Sequence, residues 1–287
     1  MTLVNIVLLA IVQGLAELLP VSSSAHVVVA EKLLGLDPSS PPMTLLLVML
    51  HTGTMFAVIV YFWKSWRSTY FESWAAFKSI LVRVLVATAF TGVVGEAIIK
   101  IIEKTVFADV PHAEIEDLFS HLEFIAPALA VAGVLILVAG LLERGRAGGG
   151  PARDPDLLQS SWIGFVQGLC LPFRGFSRSG STISTGMLLG VAKVRAERFS
   201  FALAVVLTPP VVVREGLRLL HAERAGGAGD LAAVAGMSVA GAVVAFLAGL
   251  VALRWLSRWL EGGRWYLFGI YCLLASGVVF WLHTRGL

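Results

Sequence analysis

Two polar stretches, LLPVSSSAH (18–26) and LPFRGFSRSGST (171–182), each interrupt an apolar region, about 3–34 in the first case and 160–192 in the second. Proline, glycine and runs of hydroxyls do not continue a helix through hydrocarbon. Open backbone is tolerated there only where protein buries it or water reaches it. Each region is therefore expected to be a re-entrant hairpin, made of a half-helix, a loop and a second half-helix. The second half-helices are expected to begin after Ser22–Ser24 and around Ser179–Thr182, where the hydroxyl side chains are good N-caps.

Outside these hairpins, six segments reach the roughly 20 apolar residues that a span needs. They are Met43–Trp63, Ile80–Ile102, Phe124–Leu142, Phe199–Leu220, Leu231–Leu253 and Trp265–His283. The whole composition agrees. Of 287 residues, 14% are charged and 57% are hydrophobic, and the mean hydropathy is +0.84. A water-soluble globule cannot hide that much apolar side chain, so the chain reads as an all-α integral membrane protein. Its net charge of +3 is spread between spans; with no basic stripe on one face, nucleic acid is excluded as a partner. Cys170 and Cys272 both fall in apolar stretches and read as buried free thiols. The N-terminal MTLVNIVLLAIVQG lacks a basic n-region and a small-residue cleavage site, so it is expected to stay in the mature chain.

Basic residues orient the spans. The connections 64–79, 143–159, 193–198 and 254–264 hold three Lys or Arg each, against zero, one and one in 35–42, 103–123 and 221–230. With the first group in the cytoplasm, the path closes only if 160–192 starts and ends on the same side. The charge count thus supports a hairpin independently. It also places the first hairpin on the outer face and the second on the inner face, so the halves run in opposite directions.

The halves echo each other. Val12-Gln13-Gly14-Leu15 recurs as Val166-Gln167-Gly168-Leu169, and a serine-rich loop then leads to Leu-Leu-Gly at Gly35 and at Gly190. The expected architecture is one membrane domain built as an inverted repeat: repeat one 1–143, a polar linker 144–159, and repeat two 160–287. In such proteins broken helices meet near the midplane, and their N-termini form an anion site.

Several residues could serve that site. Gln13 and Glu17 share a helix face, and an ionisable group this deep is by default a functional candidate. His26 follows the first serine loop. Arg174 and Arg178 flank the second, and a guanidinium fork suits phosphate oxygens; Ser177, Ser179, Ser181 and Thr182 add hydroxyl donors. Arg83, Glu96 and Lys100 read as structural pairs, and Arg214, Glu215 and Arg218 as snorkelling ends. His112, His121 and His221 fall in outer loops without metal-ligand spacing. The Gly- and Ala-rich span 232–249 implies close helix packing, within the protomer or across a homodimer.

QGLAELLPVSSSAH (13–26) and GFSRSGSTISTGMLLG (175–190) resemble the two signature motifs of the bacterial undecaprenyl-diphosphate phosphatase family, linked to bacitracin resistance. The similarity covers the whole chain. It implies an inner-membrane hydrolase that removes the terminal phosphate of undecaprenyl diphosphate. The product, undecaprenyl phosphate, is the lipid carrier recycled for peptidoglycan. The resemblance also implies a divalent cation, Mg²⁺ or Ca²⁺, and a site open to the periplasm. It assigns catalytic roles to Glu17, Ser23, His26 and Arg178, the last flanked by Ser177, Ser179 and Thr182; Glu17 is the expected metal ligand, and Gln13, Ser22, Ser24, Gln167, Arg174, Ser177, Ser179 and Thr182 are the expected substrate contacts. Gln13 departs from the family's carboxylate and Arg174 from its proline. His26 is the expected general base, activating Ser23 or a water. A polyprenyl-phosphate flippase, or a phosphatase for another lipid diphosphate, is the alternative.

Overall fold

The computed structural model describes residues 2–37, 40–105, 122–145, 153–224 and 231–286. The described residues form ten helices and no strand. These are α1 (Leu3–Leu18), α2 (Ser23–Leu33), α3 (Pro41–Thr69), α4 (Trp74–Thr105), α5 (Leu122–Gly145), α6 (Leu157–Cys170), α7 (Arg178–Leu188), α8 (Lys193–Arg224), α9 (Leu231–Glu261) and α10 (Tyr266–Thr284). Six of them, α3, α4, α5, α8, α9 and α10, are long and apolar enough to cross a membrane, and each contains the core of one expected span. His221, expected in a loop, lies within α8, because that helix continues beyond Leu220. His112, His121 and residues 146–152 of the linker lie outside the described residues.

The other four helices are short, with 16, 11, 14 and 11 residues in α1, α2, α6 and α7. At 1.5 Å per residue none bridges a ~30 Å hydrocarbon core. Helix α1 ends where Pro20 forbids helical geometry on the residue before it, and Leu19 is accordingly extended (φ −77°, ψ 150°). Ser22 then caps α2 by accepting the Ala25 N–H at 3.4 Å. Helix α7 begins at Arg178, earlier than the expected Ser179–Thr182, because Ser177 accepts the Gly180 N–H at 3.2 Å and serves as its cap. Helix α6 packs on α7, and α1 on α2. The Gln159 side-chain amide donates to Leu189 O at 3.0 Å, tying the start of α6 to the end of α7.

Longer helices hold these pairs in place. Helix α1 packs along α9, α6 along α4, α3 along α9 and α5 along α10. The repeated Gln-Gly has a packing reason. A Cβ on Gly14 would meet Ala245 O of α9 at 2.7 Å, and one on Gly168 would meet Val94 Cβ of α4 at 2.7 Å. The small residues of α9 are used within the protomer in the same way: Ala242 O lies 2.2 Å from where a Gly53 Cβ would stand. Both cysteines are free and buried, as expected.

The four basic connections converge. Asp154 bridges Arg195 of α8 at 3.3 Å and Arg83 of α4 at 3.9 Å. Lys193 donates to Glu261 O at 3.0 Å, and Arg144 lies over the Tyr266 ring at 5.4 Å. Glu96 and Lys100 form the expected exposed i,i+4 pair at 3.2 Å.

Candidate active site between the two serine loops

The interruptions at 19–22 and 171–177 face each other. Ser24 Oγ accepts the Gly175 N–H at 3.2 Å, and Ser179 Oγ donates to Leu19 O at 3.3 Å. Gly175 is needed here: its φ is +101°, and a Cβ would stand 2.4 Å from Ile125 O. On the opposite loop, Ser22 has φ +67°, the only positive φ among the described non-glycine residues. A non-glycine residue there carries backbone strain, and such strain concentrates at functional sites.

At the junction stands Glu17, its side chain 15% exposed. Arg178 Nη2 donates to its Oε1 at 2.6 Å. Ser23 Oγ donates to its Oε2 at 2.5 Å, and Gln13 Nε2 reaches the same oxygen at 3.2 Å. A half-buried ion pair costs desolvation that its attraction only partly offsets, which fits a reactive site better than a stabilising clasp. The other guanidinium nitrogen, Arg178 Nη1, is buried with no hydrogen-bond partner. A cationic donor with nothing to donate to is an anion acceptor in waiting.

His26 sits beside this cluster. Its Nδ1 lies 2.8 Å from Ser22 O and its Nε2 lies 2.7 Å from the Tyr271 hydroxyl of α10. A carbonyl can only accept, so Nδ1 carries the proton, and Nε2 is left to accept from Tyr271. With both nitrogens so engaged, the group bound to Ser23 is Glu17. A second histidine had gone unnoticed in the sequence: His51 of α3 holds Leu47 O with Nδ1 at 2.8 Å and turns Nε2 toward Glu17 Oε2 at 3.8 Å. The signal was present, since His51 is the one residue among Asp, Glu, Lys, Arg and His in the expected Met43–Trp63 span. Tyr271 left no comparable mark.

The remaining candidates divide. Ser22 and Ser24 share a hydrogen bond at 3.2 Å at the loop junction. Ser177 caps α7, and Thr182 bonds Arg178 O at 2.8 Å and Ser200 of α8 at 2.6 Å, which steadies the turn that carries Arg178. Ser181 is buried. Gln167 is fully buried and donates to Thr91 of α4 at 3.0 Å, away from the Glu17–Arg178 pair. The charge of Arg174 acts on Glu31 of α2.

No group of three or more His, Cys, Asp or Glu among the described residues could form a protein cage for a metal. The donors at the junction are nonetheless hard oxygens, the Glu17 carboxylate and the Ser23 hydroxyl, beside a Gln13 amide that here turns its nitrogen to Glu17 and would have to turn over to offer its oxygen. That set fits Mg²⁺, which takes one or two carboxylates and completes its shell from water and substrate phosphates.

An all-helical, multi-pass membrane protein with a carboxylate, a guanidinium and hydroxyls between two broken helices belongs to the class that handles charged headgroups inside the bilayer. Residues 6–278 match the family described as "Bacitracin resistance protein BacA", and the chain belongs to that family. It is 58% identical over 282 residues to undecaprenyl-diphosphatase 2 of Acinetobacter baylyi, covering 97% of each chain. It is 32% identical to the undecaprenyl-diphosphatase of Desulfosudis oleivorans, covering 97% of this chain and 98% of that one. Undecaprenyl-diphosphatase 1 of Burkholderia pseudomallei is 33% identical, with 96% and 95% covered.

Proposed function

We propose that this protein hydrolyses undecaprenyl diphosphate to undecaprenyl phosphate and inorganic phosphate, returning the lipid carrier to cell-wall synthesis. The observation that carries the assignment to this site is the Glu17–Arg178 pair, closed across two serine loops with a buried guanidinium nitrogen unused. Family membership carries the substrate.

In this reading the two short-helix pairs are re-entrant hairpins of an inverted repeat, forming one membrane domain. The terminal phosphate takes the free donor of Arg178 and the N-terminal amides of α7. There they offset charge on its oxygens in the transition state, usually the largest catalytic term. As Arg178 turns to the phosphate, the Glu17 carboxylate is freed to accept the proton of Ser23, whose oxygen attacks the terminal phosphorus. The bridging P–O bond breaks and undecaprenyl phosphate leaves. Water then releases phosphate from Ser23. His26, oriented by Ser22 O and Tyr271, and His51, beside Glu17, move protons to and from the leaving oxygen and that water. Glu17, Gln13 and Ser23 would hold a divalent cation, which when bound supplies positive charge to the diphosphate oxygens. The site opens to the periplasm of an inner-membrane protein.

Purified protein in detergent tests this directly. Phosphate release from undecaprenyl diphosphate is expected, falling at least about tenfold with chelator and returning with Mg²⁺. Absence of turnover under both conditions refutes the enzyme in favour of a carrier. Labelled phosphate trapped on wild-type protein but not on Ser23→Ala checks the serine step. A periplasmic reporter fused after Leu287 should be active if the basic connections face the cytoplasm.

A further inference from the structure

Where the basic connections converge, the last turns of α3 carry two buried donors with nothing to donate to. Trp66 Nε1 and the Tyr70 hydroxyl lack partners, and their residues are 7% and 4% exposed. They are four residues apart and so share one helix face; an indole N–H can only donate. Around the Tyr70 hydroxyl lie the charges of Asp154, Arg195, Arg198 and Arg83. Burial first, then the Asp154 charge, push this phenol above its ordinary range, so it remains a donor.

Asp154 is the single acid among those four, and it divides its oxygens between Arg195 and Arg83. The neighbouring acids have partners of their own, although Asp156 also lines the groove beside Arg83. Asp156 caps α6 through the Gln159 N–H at 2.8 Å, and Glu197, which also faces Arg198, accepts the Ser257 hydroxyl at 2.6 Å. Arg83 lines a surface groove of about 770 Å³ with Lys78, Asp156, Val82, Leu157 and Leu158, two cations against one acid. Those three apolar residues are at least 40% exposed. Arg83 joins the two observations, since it lines the groove and its charge also acts on the Tyr70 hydroxyl; cations, exposed apolar side chains and stranded donors together fit a ligand with an anionic head and a hydrocarbon tail. Basic pockets between helices at the membrane surface bind such heads.

We infer that this end of the molecule holds a second anion site, apart from the serine loops, for the phosphate headgroup of an anionic membrane phospholipid. Arg83 and Arg195 grip the phosphate, Tyr70 donates to it with Trp66 one turn deeper, and an acyl chain lies over Val82, Leu157 and Leu158.

Thermal unfolding of the purified full-length protein in non-ionic detergent tests the site, with phosphatidylglycerol, phosphatidylcholine or inorganic phosphate added. Phosphatidylglycerol should raise Tm by about 5 °C near saturation, while the other two leave it unchanged. Tyr70→Phe, which removes one oxygen, should fold, keep its turnover and lose at least half of that shift; Arg83→Gln with Arg195→Gln should lose all of it. The shift should survive in Arg178→Ala. Its loss there would assign the lipid to the serine loops instead and overturn the proposal. An equal response to phosphatidylcholine, a response to inorganic phosphate, or a full shift in Tyr70→Phe would overturn it too. Should the double variant not fold, native mass spectrometry of wild-type against Tyr70→Phe decides. Preferential retention of phosphatidylglycerol by the wild type supports the site, and equal retention by both refutes it.

Discussion

The two broken helices, α1–α2 and α6–α7, share a motif, a length and a way of docking, yet they contribute opposite chemistry. Each carries Val-Gln-Gly near the end of its first helix and packs that glycine against a long helix, Gly14 on α9 and Gly168 on α4. Four residues after the glutamine the first carries Glu17 and the second Leu171. Gln13 accordingly turns to a carboxylate, whereas Gln167 turns into the dry contact with Thr91. The guanidinium appears instead at the first turn of α7. Two segments with a shared Val-Gln-Gly-Leu thus supply two facing loops, and the charges are divided between them. Had both loops kept a carboxylate, like charges would meet at the junction and one would have to neutralise.

That division can be broken experimentally, beginning with the largest effect. Arg178→Ala and Glu17→Gln should each lower phosphate release by at least about 10²–10³-fold, because each removes one half of the charge pair; assays on protein that still runs as a monodisperse peak check this. His26→Gln and His51→Gln should each cost about 10²-fold in kcat, with Tyr271→Phe affecting turnover in the same sense but less, because it acts through His26. The two glutamines should then separate. Gln13→Leu is expected to reduce kcat about tenfold by removing a bond to a charged acceptor. Gln167→Leu should leave kcat within about twofold and instead shift stability by about 1–3 kcal/mol, read as thermal unfolding. Smallest of all, Glu96→Gln breaks an exposed pair and should change stability by less than about 0.5 kcal/mol without touching activity.

The frame of the molecule was legible because membrane helices are set by runs of apolar residues and broken by a few polar ones. Pro20 announces the end of α1 and the Ser22–Ser24 cluster the cap of α2, while the expected start around Ser179–Thr182 fell just after the actual cap, Ser177. That 143–159, 193–198 and 254–264 share one end was readable from charge alone; the Asp154–Arg195 pair and the Lys193 bond to Glu261 O join them. Within the site, the adjacency of Glu17 and Arg178 followed from the two loops meeting. The partner of Ser23 did not follow, because a local spacing cannot say which side chain turns toward which. Sequence proximity had favoured His26, but Ser22 O and Tyr271, 245 residues away in the chain, hold that ring. The fate of Gln167 was equally hidden, since its environment is set by Thr91 on another helix.

The braces between the loops bear on how the molecule is made. Gly175 holds Ser24, Ser179 holds Leu19 and Arg178 holds Glu17, so these three braces of the first loop arrive from the second, more than 150 residues later in synthesis. A ribosome that has delivered only the first five helices has placed a carboxylate in the bilayer with no counter-charge, beside a serine in a strained backbone. The nascent half therefore waits, and the arrival of Gly175 to Ser179 is the event that turns two unfinished breaks into one reactive centre.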